Sequence, residues 1–267
     1  MGIAALLTDF REYISTIRNY HRRLPSEDRL GSFFHYPVFV INLKRSQWRR
    51  EFMSRYLQRL GIKPILFPAI DGLQLTFDQL VEKGLYSEKV AREAFDRPLR
   101  LGEIACTLSH IEVSQAIVEQ GIECAMVLED DVTFTPGAIQ NLKQLLKQLP
   151  EDWDLIQLFY RTDGYEQLTD NIVNFTLSPK FPIGSLGYLI NASGAKKIVE
   201  NGLPVRYPAD SFFGRGHYWG MKVLGSYPKL VDINNIFPTE IHEQNSIAKK
   251  ITYQAKHIML RIINTVF

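Results

Sequence analysis

Hydrophobic positions along this chain switch between short continuous runs and stretches with helical spacing. Val38-Phe39-Val40-Ile41 is apolar throughout, as expected of a strand covered on both faces. Trp48, Phe52, Tyr56 and Leu60 then recur every four residues, with Ser46 placed to cap a helix and Gly61 to end it. Ile65-Leu66-Phe67 supplies a second strand, completing a strand–helix–strand unit of about the minimum length for a parallel pair. The pattern then returns. Ile104, Leu108, Ile111 and Val118 mark one helical face that Gly121 closes, and Ala125-Met126-Val127-Leu128 is another buried strand. A helix over 136–149 starts with Pro136 in its first turn, and Leu155-Ile156-Gln157-Leu158 is strand-like again. Elements alternating in this way predict an α/β fold with a mainly parallel central sheet.

The same pattern divides the chain into three parts. Residues 1–36 form a polar, basic leader with helical spacing at Leu7, Phe10, Ile14 and Ile17, read as an N-terminal helical extension. Residues 37–246 carry the domain proper. From 247 to 267, Ile247, Ile251, Ala255, Ile258, Ile262 and Val266 make one helical stripe, with Lys249, Lys250, Lys256, His257 and Arg261 opposite. That is a basic amphipathic helix, suited to lie on anionic lipid or to dock its stripe on the domain.

Composition narrows the classes. Apolar residues are 45% and charged residues 22% of the chain, as in soluble globular proteins, and no apolar run approaches the ~18 residues of a membrane span. The opening Met1–Leu7 run is too short for a signal peptide and meets Asp9, Arg11 and Glu12 at once. The net charge is +2; residues 246–267 hold four Lys/Arg and no acid, which leaves −2 for the rest. No basic–aromatic platform lies outside the tail, so nucleic acid is disfavoured as a partner. Cys106 and Cys124 stand in apolar surroundings and read as buried free thiols, making neither a disulfide framework nor a zinc site. They fit a reducing cytoplasm.

The strongest chemical signal is Glu129-Asp130-Asp131, directly after the strand 125–128. Open α/β sheets place their ligands at such carboxyl ends. Three adjacent anions are unfavourable unless a cation or hydrogen-bond donors compensate. A hard divalent ion, Mg²⁺ or Mn²⁺, does this with one or two carboxylates plus substrate phosphates. An exposed acidic turn before a helix is the plainer alternative.

With these residues in view, the chain resembles glycosyltransferase family 25, the bacterial enzymes of lipooligosaccharide synthesis. Leu128-Glu129-Asp130-Asp131 looks like the family's DxD-type motif, and four other segments match in order. They are Val40 to Ser46 with Arg49-Arg50, Phe67 to Gly72, Leu101 to His110, and Gly184 to Ile190 with Gly194-Ala195. Together they span roughly residues 37–246. The resemblance implies a GT-A-like nucleotide-sugar-binding domain. It also implies inverting transfer of a hexose, most often galactose from UDP-galactose, to a lipid-linked oligosaccharide. The enzyme would then sit in the bacterial cytoplasm, peripheral on the inner face of the cytoplasmic membrane. A second copy of the chain, as a homodimer, is the remaining expected partner. Two rival readings use the same triad: a metal-dependent nucleotidyltransferase or phosphohydrolase, and a non-catalytic envelope-assembly protein with this fold.

Residue roles follow on that basis. Asp131 and Glu129 are the expected metal ligands, with His242, in a segment resembling the family's terminal polar stretch, completing the set. Glu129 and Asp130 also face the nucleotide. Asn42, Leu43, Arg45, Asp71 and Gly72 follow two parallel strands and share the crevice edge. Asp71 suits uracil or ribose, and Arg45 or Arg49 suits phosphate, although Asp-Gly is also an ordinary turn pair. Ser109 and His110 sit near the same edge, as ligand contacts or as structural hydrogen-bonding groups. Asp210, in a Pro-bounded loop, is the expected base for the acceptor hydroxyl, or the cap of a helix over 211–222. Asp154 is the runner-up.

Overall fold

The computed structural model of the protein describes residues 29–162, 164–175, 181–234 and Ile263. Strand β1 (Val38–Asn42) is buried along its whole length, and helix α1 (Gln47–Arg59) follows it to the edge strand β2 (Ile65–Pro68). Two short helices, α2 (Phe77–Glu82) and α3 (Glu88–Phe95), precede the long α4 (Leu101–Glu119). The chain then enters β3 (Cys124–Glu129), β4 (Val132–Phe134), α5 (Ala138–Lys147) and β5 (Leu155–Gln157). The hairpin β6 (Glu166–Thr169) and β7 (Ile172–Asn174), then β8 (Gly187–Asn191), α6 (Ala192–Asn201), α7 (Ala209–Gly214), β9 (Val223–Ser226) and β10 (Val231–Ile233) complete it.

Eight strands form one sheet in the order β2-β1-β3-β8-β5-β9-β7-β6. The pairings β1–β2, β1–β3 and β5–β9 are parallel, and the others antiparallel. Six strands therefore share one direction, with β8 and β7 reversed. The α/β class and the dominant strand direction expected from the run pattern are both present. The reversed strands were not expected, because a short apolar run looks the same whichever way it points.

The continuous apolar runs are explained by burial on both faces. Val38, Val40, Met126, Leu128, Ile156 and Leu189 point into one core cluster, with α1 and α5 over it. Phe39, Ile41, Ala125, Val127, Leu155 and Ile190 point into the other, under α4, α6 and α7. This is the two-residue side-chain period of a strand read directly. Leu30 and Phe34, within the expected leader, are fully buried in the first cluster, and the Gly31 amide donates to the Leu60 carbonyl at 2.8 Å. Packing of the domain is thus already under way at residue 30, ahead of residue 37. Of the expected C-terminal helix only Ile263 is described; it is buried in that same cluster and is not one of the stripe residues. Among the described residues no helix is long and apolar enough to cross a membrane.

Chain order turns back at β1. From β1 the chain passes through α1 to β2 on one side, then through α4 to β3 on the other. That is a topological switch point, where a crevice opens at the carboxyl ends of the strands. Ile41 pairs with Glu129 across it.

Candidate active site

At this switch point lies a cleft of about 1150 Å³, lined by residues that follow β1, β2 and β3 and by the first turns of α4. The acidic triad forms one wall. Asp130 is buried with both carboxylate oxygens engaged: Arg49 Nη1 donates to Oδ1 at 2.7 Å and Asn42 Nδ2 to Oδ2 at 2.6 Å. The same Arg49 nitrogen reaches Asp131 Oδ2 at 3.1 Å. Arg49 is itself only 5% exposed. Early in α1, it is neither solvated nor free for phosphate; it is the internal counter-ion of the triad. Asn42 is likewise buried off the cleft, held by Arg50 at its Oδ1 (3.0 Å), and orients Asp130.

Asp131 differs from its neighbour. Its side chain is 25% exposed, and Oδ1 has no hydrogen-bond partner. Burial, opposed by Arg49 and reinforced by Glu129 and Asp130, pushes its carboxyl pKa up to about 7. An unpartnered oxygen beside two more carboxylates fits a hard divalent cation, so Asp131 with Glu129 can hold Mg²⁺ or Mn²⁺. His242, the expected third ligand, lies outside the described residues.

Glu129 ends β3 and accepts from Ser185 Oγ at 2.5 Å, while His110 Nε2 lies 3.6 Å from Oε1. Burial pushes its pKa up, but His110, Ser185 and Arg49 together overcome that and hold it below the ordinary value. His110 is 1% exposed, with Nδ1 3.0 Å from the Tyr188 hydroxyl and its ring edge-on to Phe213. It is thus a buried, oriented group whose Nε2 edge faces Glu129. Ser109 is a clamp: Oγ donates to the Ala105 carbonyl at 2.7 Å and accepts the Ile70 amide at 2.9 Å. Asp71 and Arg45 pair with each other at 2.8 Å, and Asp71 also accepts the Leu73 amide at 3.1 Å. Leu43 and Gly72 line the cleft. A Cβ on Gly72 would stand 2.9 Å from Gly102 Cα, so glycine here lets the loop after β2 seat against the start of α4.

Asp210 lies outside this lining, in the first turn of α7, where Pro208 is the N-cap. The expected helix over 211–222 is a six-residue α-helix followed by a 3₁₀ turn, Gly216–Trp219. The Asp210 carbonyl accepts the Gly184 amide at 2.8 Å, next to the Ser185 that holds Glu129. Its carboxylate is exposed but crowded. Loss of water raises its pKa, Ser211 opposes this, and Glu129 and Glu103 add to the rise. Asp154 is structural: Lys197 Nζ and the Lys222 amide both donate to Oδ2 at 2.7 Å.

Several lining residues escaped the sequence reading. Arg92, Arg97 and Arg100 bring three further cations to the lining of the cleft. Arg92 pairs with Glu88 and Arg97 with Glu103, whereas Arg100 is exposed and makes no salt bridge among the described residues. Their dense spacing just before the 101–110 motif was the available signal. Cys106 was taken for inert core, yet it lines the cleft one turn from His110, the four-residue spacing of one helical face.

Residues 35–213 match the family described as Glycosyltransferase family 25 (LPS biosynthesis protein). This chain belongs to that family. Among family 25 relatives, a "Glycosyltransferase 25 family member" of Drosophila melanogaster is 30% identical over 208 residues, 74% of this chain and 33% of the relative. "Procollagen galactosyltransferase 1-B" of Xenopus laevis is 36% identical over 183 residues, 66% of this chain and 30% of the relative. "Procollagen galactosyltransferase 2" of Homo sapiens is 29% identical over 209 residues, 75% and 32% respectively. The chain thus spans about a third of the length of these relatives. The matched span takes in every cleft-lining residue and Asp210.

Proposed function

We propose that this family 25 chain transfers a hexose, galactose before others, from a uridine diphosphate sugar to a hydroxyl of a glycan acceptor, with inversion. The observation that carries the reading is the cleft itself, lined by both carboxylates and arginines at the switch point of the sheet. A sugar diphosphate needs both, a cation-binding edge and direct positive charge. Arg100, without a salt bridge of its own, meets the diphosphate, and the Arg45–Asp71 pair borders the nucleoside. Glu129 and Asp131 would hold Mn²⁺ or Mg²⁺, which when bound would offset negative charge on the leaving diphosphate.

The chain's own groups do the rest. Asp210 takes the proton of the acceptor hydroxyl as that oxygen bonds to the anomeric carbon; the bond from that carbon to the diphosphate oxygen breaks, its electron pair leaving with the diphosphate. Arg49 keeps Asp130 and Asp131 in place. Asp210 must be ionised to act, and its pKa lies above the ordinary carboxylate value. The rate of transfer accordingly falls as pH drops through that raised pKa. Asp210→Asn abolishes this acid limb and lowers kcat by about 10²–10⁴-fold while donor KM changes little; a pH–rate series on both proteins checks this.

The acceptor is a lipid-linked oligosaccharide, met at the inner face of a bacterial cytoplasmic membrane with the 247–267 tail on anionic lipid. Galactosyl transfer is the activity in the printed names of two relatives, whose stated target is procollagen. A panel of UDP-, GDP- and CMP-sugars, with Mn²⁺ or Mg²⁺, against a lipooligosaccharide core and a collagen peptide tests the reading. UDP-galactose with the lipooligosaccharide should give product. Turnover of nucleoside triphosphates with no sugar transfer would instead place the triad in a phosphohydrolase or nucleotidyltransferase.

A further inference from the structure

Where α4 lines the cleft, Cys106 and His110, two donors that the transfer reaction does not use, come close to Glu129. Cys106 Sγ, a ring nitrogen of His110 and a carboxylate oxygen of Glu129 all lie within 4.8 Å of one another. All three residues line the cleft. His110 is 1% exposed, yet its Nε2 is buried without a hydrogen-bond partner among the described residues, 3.6 Å from Glu129 Oε1. The neighbouring contacts are those that orient ligands. Nδ1 lies 3.0 Å from the Tyr188 hydroxyl, and in the tautomer whose Nδ1–H donates to that oxygen Nε2 carries the lone pair. Ser185 Oγ holds Glu129 from its other side at 2.5 Å. Outer contacts of this kind fix the tautomer and direction of a metal-binding histidine.

We propose that Cys106, His110 and Glu129 form a binding site for a thiophilic divalent ion of the zinc class, distinct from the hard-cation edge at Asp131. The donor set is one thiolate, one imidazole and one carboxylate, which suits Zn²⁺ and is foreign to Mg²⁺. Bond lengths of about 2.3 Å to sulfur and 2.0–2.2 Å to nitrogen and oxygen require the three donors to close to roughly 3.2–3.7 Å. His110 and Glu129 are already near that separation, and Cys106 Sγ lies within 4.8 Å of both. Three protein ligands facing an open cleft leave the fourth position to water. In the bound state Cys106 is a thiolate, His110 a neutral imidazole and Glu129 a carboxylate, and the thiol proton goes to solvent. The absence of a CxxC or paired-histidine motif hid this site, because its third ligand arrives from another strand.

Cobalt(II) titration of the full chain tests the site, since a thiolate ligand gives a charge-transfer band and tetrahedral geometry gives intense visible bands. The expected result is one equivalent of Co²⁺ showing both, displaced by Zn²⁺ and not by Mg²⁺. Cys106→Ser should remove the thiolate band, and Glu129→Gln should weaken binding by at least about tenfold, the lower end of what even outer-sphere changes cost. Cys124→Ser, a change in the other cysteine, should keep the full spectrum. Circular dichroism and melting of each variant report whether it has folded. Weak octahedral bands only, or a thiolate band that persists in folded Cys106→Ser, would overturn the proposal. Because Glu129 is shared, Zn²⁺ should also depress Mn²⁺-supported donor binding. That consequence alone rests on the glycosyltransferase reading; the cobalt spectrum does not.

Discussion

Replacing Asp131 by Asn should lower sugar transfer by about 100-fold or more, the scale of losing one group that stabilises developing charge in a closed site, while leaving the fold intact. Asp131 carries the one triad oxygen that is both buried and unpartnered, and it is where a hard cation would be held. The stability side of the same variant has a definite sign. In the metal-free protein the Asp131 pKa is raised to about 7 from an ordinary 3.8. A carboxyl so raised contributes stability that is complete below its ordinary value and is lost as pH rises through about 7. The metal-free protein should therefore melt lower at pH 8 than at pH 6 on account of this group. Asp131→Asn should flatten that dependence and melt no lower than the parent at pH 8. Activity lost with stability kept would mark a functional carboxylate; loss of both would mark a structural one.

Arg49→Met should do the reverse, with its first effect on folding. One guanidinium nitrogen serves Asp130 at 2.7 Å and Asp131 at 3.1 Å, and its side chain is 6% exposed. Removing it leaves two crowded carboxylates without their cation, a change that costs about 3–5 kcal/mol when the pair is buried. For a domain of this size that is a fall in Tm of roughly 6–20 °C. Arg49→Lys keeps the charge but not the planar donor fork, and should fall between the two. Saturating Mn²⁺ should recover part of the loss in Arg49→Met, because a bound ion supplies the missing charge and adds its binding energy to the folded state. A thermal melt of the three proteins, with and without the ion, checks all of this.

The two variants also show where the sequence was legible. Glu129-Asp130-Asp131 could be placed at a strand end from the apolar run before it, because burial on both faces leaves a continuous signature. What each carboxylate does could not be read there. Asp130 and Asp131 are adjacent in sequence, but one is satisfied by Asn42 and Arg49 and the other has a free oxygen. That division depends on contacts 81 to 88 residues apart in the chain. Arg49 read as a candidate for phosphate for the same reason. The elements β1, α1, β2, α4 and β3 followed from period and punctuation, whereas the short helices α2 and α3 between them did not. The hairpin β6–β7, the reversed β8 and the short α7 did not, since they are brief, polar on one face or defined by pairing partners. Cys106 was set aside because cysteine spacing was compared only with other cysteines, whereas the fold matches it to a histidine one turn away and to a glutamate on the neighbouring strand.

The central claim is that the cleft lined by the triad and by Arg92, Arg97 and Arg100 is a nucleotide-sugar donor site. Calorimetric titration of UDP-galactose into the full chain, with and without Mn²⁺, and into Asp131→Asn, tests it most directly. The account predicts one-to-one binding that strengthens with Mn²⁺ and loses that enhancement in Asp131→Asn. Binding that is indifferent to both the ion and Asp131, or no binding of any UDP-sugar by the folded protein, would contradict it.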